Sequence, residues 1–287
     1  MTARPVLAGT TRLPRLRRRL GRAGASWEKL GEQALYYFVS VASIPRAVKH
    51  YRREVLRVIA EITMGTGALA VIGGTVVVVG FLTLFTGGTI AVQGYSSLAN
   101  IGVEALTGFF SAYINVRIAI PVISGIALAA TVGAGTTAQL GAMRVSEEID
   151  ALETMAIPAI PYLVGTRILA GLVAIVPLYA LATVAAFFSS RFATVYIYGQ
   201  SSGVYDHYFT TFLAPSDLLW SFVQAIAMAV AVMLIHTYHG YNASGGPVGV
   251  GVAVGNAVRA SLVAVVLITL LMSLAIYGID GKFNLSG

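Results

Sequence analysis

The residues best suited to chemistry lie in one short segment, residues 144–163, which reads RVSEEIDALETMAIPAIPYL. Four of the chain's 12 acidic residues fall within seven positions of it: Glu147, Glu148, Asp150 and Glu153. Grouped carboxylates can bind a metal, relay a proton or pair with arginine and lysine on a partner. In a chain that is 57% hydrophobic and 11% charged, such a group needs a specific explanation.

Two other patterns resemble reactive sites. Residues 199–203, GQSSG, match the G-x-S-x-G nucleophile motif, and Asp206 and His207 follow it. That motif acts at a sharp strand-to-helix turn, whereas here it lies in a polar loop between predicted helices, which favours a flexible turn. His236 and His239 are three residues apart, but a metal site needs a third ligand of fixed geometry, which favours interface histidines.

Two features of the composition limit the chemistry further. The chain contains no cysteine, which excludes disulfides, thiolate metal sites and cysteine nucleophiles. It also contains no G-x-x-x-x-G-K-[ST] phosphate-binding loop, so it cannot hydrolyse ATP by that route. We therefore expect no catalytic residue, cofactor or metal in this chain.

The elements that must carry these residues are membrane-spanning helices. Mean hydropathy is +0.80, and several apolar runs are long enough to cross a bilayer, which predicts an all-α integral membrane protein. Five transmembrane helices are predicted, at residues 67–92, 118–141, 168–189, 218–235 and 260–277. Residues 93–115 are more polar and are expected to be interfacial or partly re-entrant. The five predicted spans contain no Asp, Glu, Lys, Arg or His, which weighs against an ion-coupled carrier.

The cations predict the orientation of the chain. Thirteen of the 19 lysine and arginine residues precede residue 58. By the positive-inside rule, the N-terminus is cytoplasmic and, after five spans, the C-terminus lies outside. Residues 1–25 are expected to form a basic disordered tail, and residues 26–64 an N-terminal interfacial segment. Its residues 46–62 have an apolar stripe opposite a basic face, as in an amphipathic helix among lipid headgroups; a helix docked on a partner protein is the alternative.

This orientation puts the acidic segment in the cytoplasm, between the second and third spans. Ser146 as N-cap and Pro158 as stop predict an amphipathic helix of about 12 residues. Such a helix is about 18 Å long, too short to cross a hydrocarbon core of about 30 Å. An apolar stripe of Ile149, Leu152 and Ala156 beside the carboxylates suits the docking of an energy-supplying partner; a solvated loop helix is the alternative.

Residues 138–155, AQLGAMRVSEEIDALETM, closely resemble the signature of the MlaE/YrbE permease family. Residues 93–95, 240–243 and the pair Arg117 and Pro121 also agree with motifs of that family, and the resemblance covers about residues 45–280. Within the family, the chain looks most like the B-type YrbE subunits encoded with Mce proteins. Three family charges are absent, since Ile118 and Gln139 replace glutamates and no arginine occurs at residues 133–135.

The resemblance implies a permease subunit of a bacterial ABC transporter in the plasma membrane, which imports hydrophobic lipids such as fatty acids. Residues 65–287 would form the permease domain and pair with a sister YrbE-type permease as a heterodimer. A cytoplasmic ATPase dimer and outer MCE-domain proteins would complete the assembly, without nucleic acid. In this family the acidic helix is the coupling helix seated on the ATPase; its residues here are Glu147, Glu148, Ile149, Asp150, Leu152, Glu153 and Met155.

The substrate is expected to lie between the two permeases. The residues predicted to line its path are Ile90, Gln93, Tyr95, Leu98 and Ile101, with Arg117 near a polar head group. Ordinary helix packing or lipid contact is the alternative for these positions. A non-transporting membrane scaffold for MCE proteins and an ion-coupled secondary carrier remain alternative functions of the whole chain.

Overall fold

The computed structural model of the chain describes residues 13–64 and 68–278, and within these ranges all regular structure is helical, as predicted. Turns of π-helix and one of 3-10 helix join several α-helices into longer rods. The α-helices of the described chain are α1 (Leu13–His50), α2 (Arg52–Met64), α3 (Ala68–Ala99), α4 (Thr107–Ile114), α5 (Ile120–Leu128), α6 (Ala134–Val145), α7 (Glu148–Thr154), α8 (Thr166–Phe192), α9 (Ser202–Phe212), α10 (Pro215–Tyr241) and α11 (Gly246–Tyr277).

Five helical stretches of the described chain are long and apolar enough to cross a membrane, which confirms the predicted number. They are Val76–Ala99, Glu104–Val145, Ile160–Ile197, Pro215–Tyr241 and Gly246–Ile276. Residues 93–115, predicted to be interfacial or partly re-entrant, form the end of the first stretch and the beginning of the second, and their position relative to the membrane remains a prediction. The two stretches pack closely there, since a Cβ atom on Gly94 would overlap the Phe110 ring.

The bundle is built around α8, which packs against α3, α5 and α10. The core between these helices is aliphatic, and its fully buried side chains include Ile120, Leu128, Ile175, Met228 and Val232. In contrast, α11 packs on α10 and α6 and leaves most of its apolar surface exposed. In a membrane, such a surface contacts lipid or another subunit, because lipid chains are as apolar as the side chains themselves.

The second and third stretches contain four π-helical turns, at Asn115–Ala119, Ala129–Gly133, Ile160–Gly165 and Ala193–Ile197. A π-helical turn holds an additional residue and changes the direction of the side chains around it. The first of these turns directs Asn115 into the interior, where its Nδ2 donates to Ser190 Oγ at 2.8 Å. Ser190 in turn donates to the Gly87 carbonyl at 3.0 Å, so the two bonds join α3, α8 and the second stretch.

The close approach of α3 to α8 at Gly87 leads to a stability prediction. A Cβ atom on Gly87 would overlap Ser189 Oγ and lie 2.9 Å from the Ala186 carbonyl oxygen, whereas nothing lies within 4 Å of a Cβ atom on Gly88. We expect Gly87→Ala to destabilise the protein by about 1–3 kcal/mol through overpacking. Gly88→Ala is the matched control and should be neutral or stabilising, because alanine favours helix. Thermal unfolding of the two variants in the same detergent measures the difference. Equal melting temperatures would contradict the close packing of α3 on α8 at Gly87.

At the end of the bundle opposite α7, α4 packs against α9. Gly108 permits this contact, since a Cβ atom there would overlap the Tyr205 carbonyl. Tyr205 is buried, and its ring stacks on Phe209 with centroids 5.6 Å apart. Phe209 also meets Phe187 of α8 edge-on at 4.9 Å. The loop predicted between the third and fourth spans is therefore largely a helix, held on the bundle by aromatic side chains.

Residues 199–203, interpreted as a flexible turn, form the turn that leads into α9. Gly199 has a left-handed φ of 71°, and Ser201 is the N-cap residue of α9. Asp206 accepts two hydrogen bonds from Arg191, at 2.8 and 2.9 Å, so its carboxylate is occupied by an ion pair. This arrangement is not that of a nucleophile, base and acid.

The Arg191–Asp206 pair predicts acid sensitivity at α9. Hydrogen bonds from Arg191 hold the pKa of Asp206 below its ordinary value. Such a carboxyl stabilises the fold above its unfolded pKa of about 3.9, and the contribution is lost as the pH falls through the lower, folded pKa. Because both side chains are nearly half exposed, the effect is small. Asp206→Asn should lower the melting temperature slightly at about pH 6 but not at about pH 2. The same difference in melting temperature between variant and unaltered chain at both pH values would contradict the pairing.

The N-terminal helix is longer than the sequence suggested. α1 begins at Leu13, so residues 13–25, which we expected to be disordered, are helical, while residues 1–12 lie outside the described part. The second half of α1 docks on the end of α10, where the Tyr36 and Tyr238 rings meet edge-on at 5.3 Å.

The amphipathic helix expected over residues 46–62 is divided in two at Tyr51. The Tyr51 ring packs edge-on against Tyr162 at the beginning of the third stretch, with centroids 5.2 Å apart. Beyond this break α2 packs on α8 with Val58 buried, while Leu56 on its other side is 66% exposed. An interfacial position for this segment remains a prediction.

Candidate functional site

The acidic helix predicted from the sequence is α7, and with seven residues it is shorter than expected. The chain turns sharply at both ends, since Glu147 and Ala156 have left-handed φ values of 62° and 59°. Ser146 is not the N-cap that we predicted, because its hydroxyl lies 3.0 Å from a carbonyl at the end of α6 and 2.9 Å from the Glu148 carboxylate. The turn at Ala156 also ends α7 before Pro158 is reached.

The apolar side of α7 faces its own bundle. Ile149 is fully buried and packs with Leu140, Ala159 and Leu163, while Leu152 is partly buried against the same cluster. Burying one such aliphatic side chain contributes about 1.5–3 kcal/mol. Ile149 therefore positions α7 and is not an exposed contact for a partner, which corrects the interpretation of the apolar stripe as a docking surface.

Two of the four carboxylates attach α7 to neighbouring helices. Asp150 Oδ1 accepts a hydrogen bond from Arg144 Nη1 at 2.6 Å, which ties α7 back to α6. Glu153 Oε1 accepts one from the Tyr241 hydroxyl at 3.2 Å, which ties α7 to the end of α10. Arg144 also lies 6.0 Å from the centre of the Tyr241 ring. These contacts connect α7 to the ends of the second and fourth membrane stretches.

The remaining predicted coupling residues face away from the bundle. Glu147 and Glu148 are exposed, and the Met155 side chain is 62% exposed at the other end of α7. Two carboxylates and one adaptable thioether on a firmly held helix can bind a partner surface that offers arginine, lysine and a small apolar pocket. This exposed group, Glu147, Glu148 and Met155, is called the α7 face below.

Behind α7, the second and fourth stretches are in close contact. A Cβ atom on Gly240 would lie 2.9 Å from Leu140 Cβ, and one on Gly133 would lie 2.6 Å from the His236 ring. His236 Nδ1 lies 2.7 Å from the Thr137 hydroxyl, whereas His239 Nδ1 donates to a carbonyl of its own helix. His236 thus lies at the interface between two helices, and the two histidines have separate hydrogen-bond partners.

The residues predicted to line a substrate path differ in their surroundings, and their role stays a prediction. They are Ile90, Gln93, Tyr95 and Leu98 on α3, and Ile101 in the turn after it. The Tyr95 ring stacks on Tyr198 with centroids 4.2 Å apart, and Ile90 and Leu98 are partly buried. Gln93 is exposed, and its amide donates to a serine one turn further along α3. Ile101 is 72% exposed.

Arg117 is engaged within the protein. Its Nη2 donates to Asp217 Oδ2 at 2.9 Å, and its guanidinium carbon lies 4.1 Å above the centre of the Tyr113 ring. Both carboxylate and guanidinium are about one-fifth exposed. The pair links the second stretch to the start of α10, so a lipid head group would have to compete with Asp217 for this arginine.

Sequence reasoning did not identify Tyr241, Asp217 or Arg144 as partners in these contacts. Tyr241 lies 88 positions from Glu153, and Asp217 lies 100 positions from Arg117. No local spacing in the sequence therefore predicts either pair. Arg144 and Asp150 are six positions apart, a spacing that would separate them on one straight helix. Only the left-handed turn at residue 147 brings them together. The sequence did offer one signal for the contact with Glu153, since Tyr241 lies within residues 240–243, which resemble a family motif.

Comparisons with known proteins show which family the sequence resembles. The sequence pattern of a family described as Permease MlaE matches residues 64–275, which is most of the chain. A probable ABC transporter permease protein of Rickettsia bellii is 31% identical over 147 residues, which cover 51% of this chain and 57% of the relative. The chain spans about half the length of the curated relatives it matches.

Two more distant relatives carry names that mention lipid transport or a lipid. The intermembrane phospholipid transport system permease protein MlaE of Haemophilus influenzae is 28% identical over 123 residues, covering 42% of this chain and 47% of the relative. The chloroplastic protein trigalactosyldiacylglycerol 1 of Arabidopsis thaliana is 28% identical over 153 residues, covering 53% and 44%.

Proposed function

The chain belongs to the MlaE permease family, and from this premise we propose that it is the permease subunit of an ATP-driven transporter of hydrophobic lipids. The observation that carries the proposal is the way α7 is held. A short helix outside the apolar stretches is fixed to two of them by side-chain contacts and presents an acidic face outwards. A partner that displaces such a helix would also displace the membrane helices to which it is attached.

The energy source we propose is a separate cytoplasmic ATPase dimer, because this sequence contains no phosphate-binding loop. Glu147, Glu148 and Met155 would contact the ATPase directly. The other four predicted coupling residues, Ile149, Asp150, Leu152 and Glu153, would hold α7 against the bundle. When the ATPase dimer closes, α7 would move α6 and α10 with it.

The lipid would pass between this chain and a sister permease. Exposed apolar surface on α3 and α11 supports such a pairing, because each of these helices is covered by the bundle on only one side. Moving lipid through water costs about 0.8 kcal/mol for each CH₂ group, so an enclosed apolar path is favoured. Since this chain lacks three charges of the family motifs, we propose that the sister subunit differs from it, which makes a heterodimer.

The finer assignment is to an Mce-type importer of fatty acids or related lipids. It is supported by the likeness of residues 138–155 to YrbE subunits. The concentration of cations before residue 58 supports a cytoplasmic N-terminus in the plasma membrane. MCE-domain proteins would then meet the opposite end of the bundle, where α4 and α9 lie.

Purification of the tagged chain from its native membrane tests the proposal. We expect an ATPase in stoichiometric amount, together with a second permease, and lipids detectable by mass spectrometry of the complex. Lipid uptake should stop when that ATPase is catalytically inactive. Uptake that continues with the inactive ATPase would favour a scaffold, and uptake that collapses with a protonophore in the absence of any ATPase would favour an ion-coupled carrier.

A further inference from the structure

The break between α1 and α2 forms a cavity of about 420 Å³ at one end of the bundle. Its lining combines the last residues of α1, the first residues of α2 and one tyrosine of the third stretch. These residues are Lys49, His50, Tyr51, Arg52, Arg53, Glu54 and Tyr162. None of them belongs to the α7 face or to the predicted lipid path.

The cavity is basic, and its cations are available. Glu54 is the one acid in the lining, and it accepts hydrogen bonds from Arg57 at 2.9 and 2.5 Å. Arg52 uses its Nε to donate to a carbonyl at the end of α1. Lys49 and Arg53 are exposed, and neither has a hydrogen-bond or ion-pair partner within residues 13–64 and 68–278. The cavity therefore favours an anion.

The position of the cavity at a helix end favours a lipid as the anion. Tyr162 lies in the first turn of the third apolar stretch, which begins at Ile160, so the cavity lies at one end of a helix that is long and apolar enough to cross a membrane. Tyr51 packs against Tyr162, and tyrosines of this kind are typical of the boundary between headgroups and acyl chains. On α2, Leu56 is exposed within one turn of Arg52 and Arg53, which places an apolar contact next to the cations.

We propose that this cavity binds the phosphate of an anionic membrane lipid from the leaflet on the α7 side. Lys49 and Arg53 donate to the phosphate oxygens, Tyr51 and Tyr162 pack beneath the glycerol region, and Leu56 meets the acyl chains. The lipid holds the α1–α2 junction at the membrane surface and is distinct from the transported lipid. The assignment does not depend on the transport function, because it uses none of the residues assigned to the ATPase or the path.

Native mass spectrometry of the full chain in neutral detergent, with whatever subunits accompany it, tests the site. The probes are phosphatidylglycerol and phosphatidylcholine with identical acyl chains, and inorganic phosphate. We expect retained phosphatidylglycerol and little phosphatidylcholine. Lys49→Gln with Arg53→Gln should weaken phosphatidylglycerol binding at least tenfold, since each basic residue near anionic lipid contributes several-fold. Lys49→Arg with Arg53→Lys should restore it, which separates loss of charge from loss of folding.

Arg46→Gln with Arg259→Gln is the matched control, because it removes two exposed cations that lie outside the cavity. It should bind phosphatidylglycerol as the unaltered chain does. Equal binding by the Lys49 and Arg53 variant, or equal binding of both lipids, would overturn the proposal. Binding of inorganic phosphate without phosphatidylglycerol would assign the site to a free anion instead. Loss of an accompanying ATPase with lipid binding unchanged would assign it to a protein partner.

Discussion

A chain carrying Glu147→Lys and Glu148→Lys should reach the membrane and fold, but bind the ATPase that we propose as its partner at least tenfold more weakly. Both carboxylates are exposed, and neither forms an ion pair within the described residues. Their replacement removes one exposed hydrogen bond, from Ser146 to Glu148, but leaves the buried contacts of α7 intact and reverses the charge that a partner meets. Reversing two charges at a contact converts attraction to repulsion, which raises the dissociation rate. Asp150 is left unchanged because its pair with Arg144 holds α7 in place.

The measurement is the amount of ATPase that purifies with the tagged permease at fixed salt. Glu32→Lys with Glu61→Lys is the matched control, since both are exposed carboxylates on α1 and α2 and give the same change in net charge. The control should retain the ATPase. If the Glu147 and Glu148 variant also retains it fully, the α7 face does not bind the ATPase.

Ile149→Asp should release α7 from the bundle and uncouple transport from ATP hydrolysis. The substitution removes a fully buried aliphatic side chain, worth about 1.5–3 kcal/mol, and would require a carboxylate among Leu140, Ala159 and Leu163. A helix of seven residues has little stability without tertiary contacts. Ala151→Asp introduces the same residue on the exposed side of α7 and should leave the helix docked.

The absence of cysteine from the chain makes this prediction directly measurable. A single cysteine introduced at Met155 can carry a spin label, because that side chain is exposed. We expect greater label mobility with Ile149→Asp and unchanged mobility with Ala151→Asp. Lipid uptake should fall at least tenfold in the first variant only. An equally restrained label in both variants would show that Ile149 does not hold α7.

Hydropathy predicted the five apolar stretches because crossing a bilayer is a local requirement on about 20 consecutive residues. It did not show that residues 93–115 continue the first and second helical stretches, or that α3 and α4 pack together at Gly94. It also could not show that α1 and α2 separate at Tyr51. That break is stabilised by Tyr162, which is distant in sequence.

The candidate site, too, could be predicted from the sequence only in part. The carboxylates of α7 and their place between two spans were evident from composition and length. Which way the helix faces was not, because Ile149 and Met155 are both apolar and only the fold buries one and exposes the other. The link from Glu153 to Tyr241 depends on the second and fourth stretches being neighbours, and no periodicity in either segment contains that information.

The π-helical turn at Ala129–Gly133 has a consequence for the phase of the second stretch. Its buried positions advance in steps of four residues from residue 112 to Leu128, and in steps of four again from Gly133 through Thr137 to Gly141. Between Leu128 and Gly133 the step is five, and this step coincides with the π-helical turn.

Each residue of an α-helix turns the chain by about 100°, so the wider turn absorbs the extra residue without rotating the helix beyond it. Leu128 and Gly133, at the two ends of this turn, are therefore both buried although five positions separate them. Without the extra residue, α6 would be rotated by about 100° about its own axis. α7 would then emerge away from α10, and Glu153 would have no tyrosine to meet.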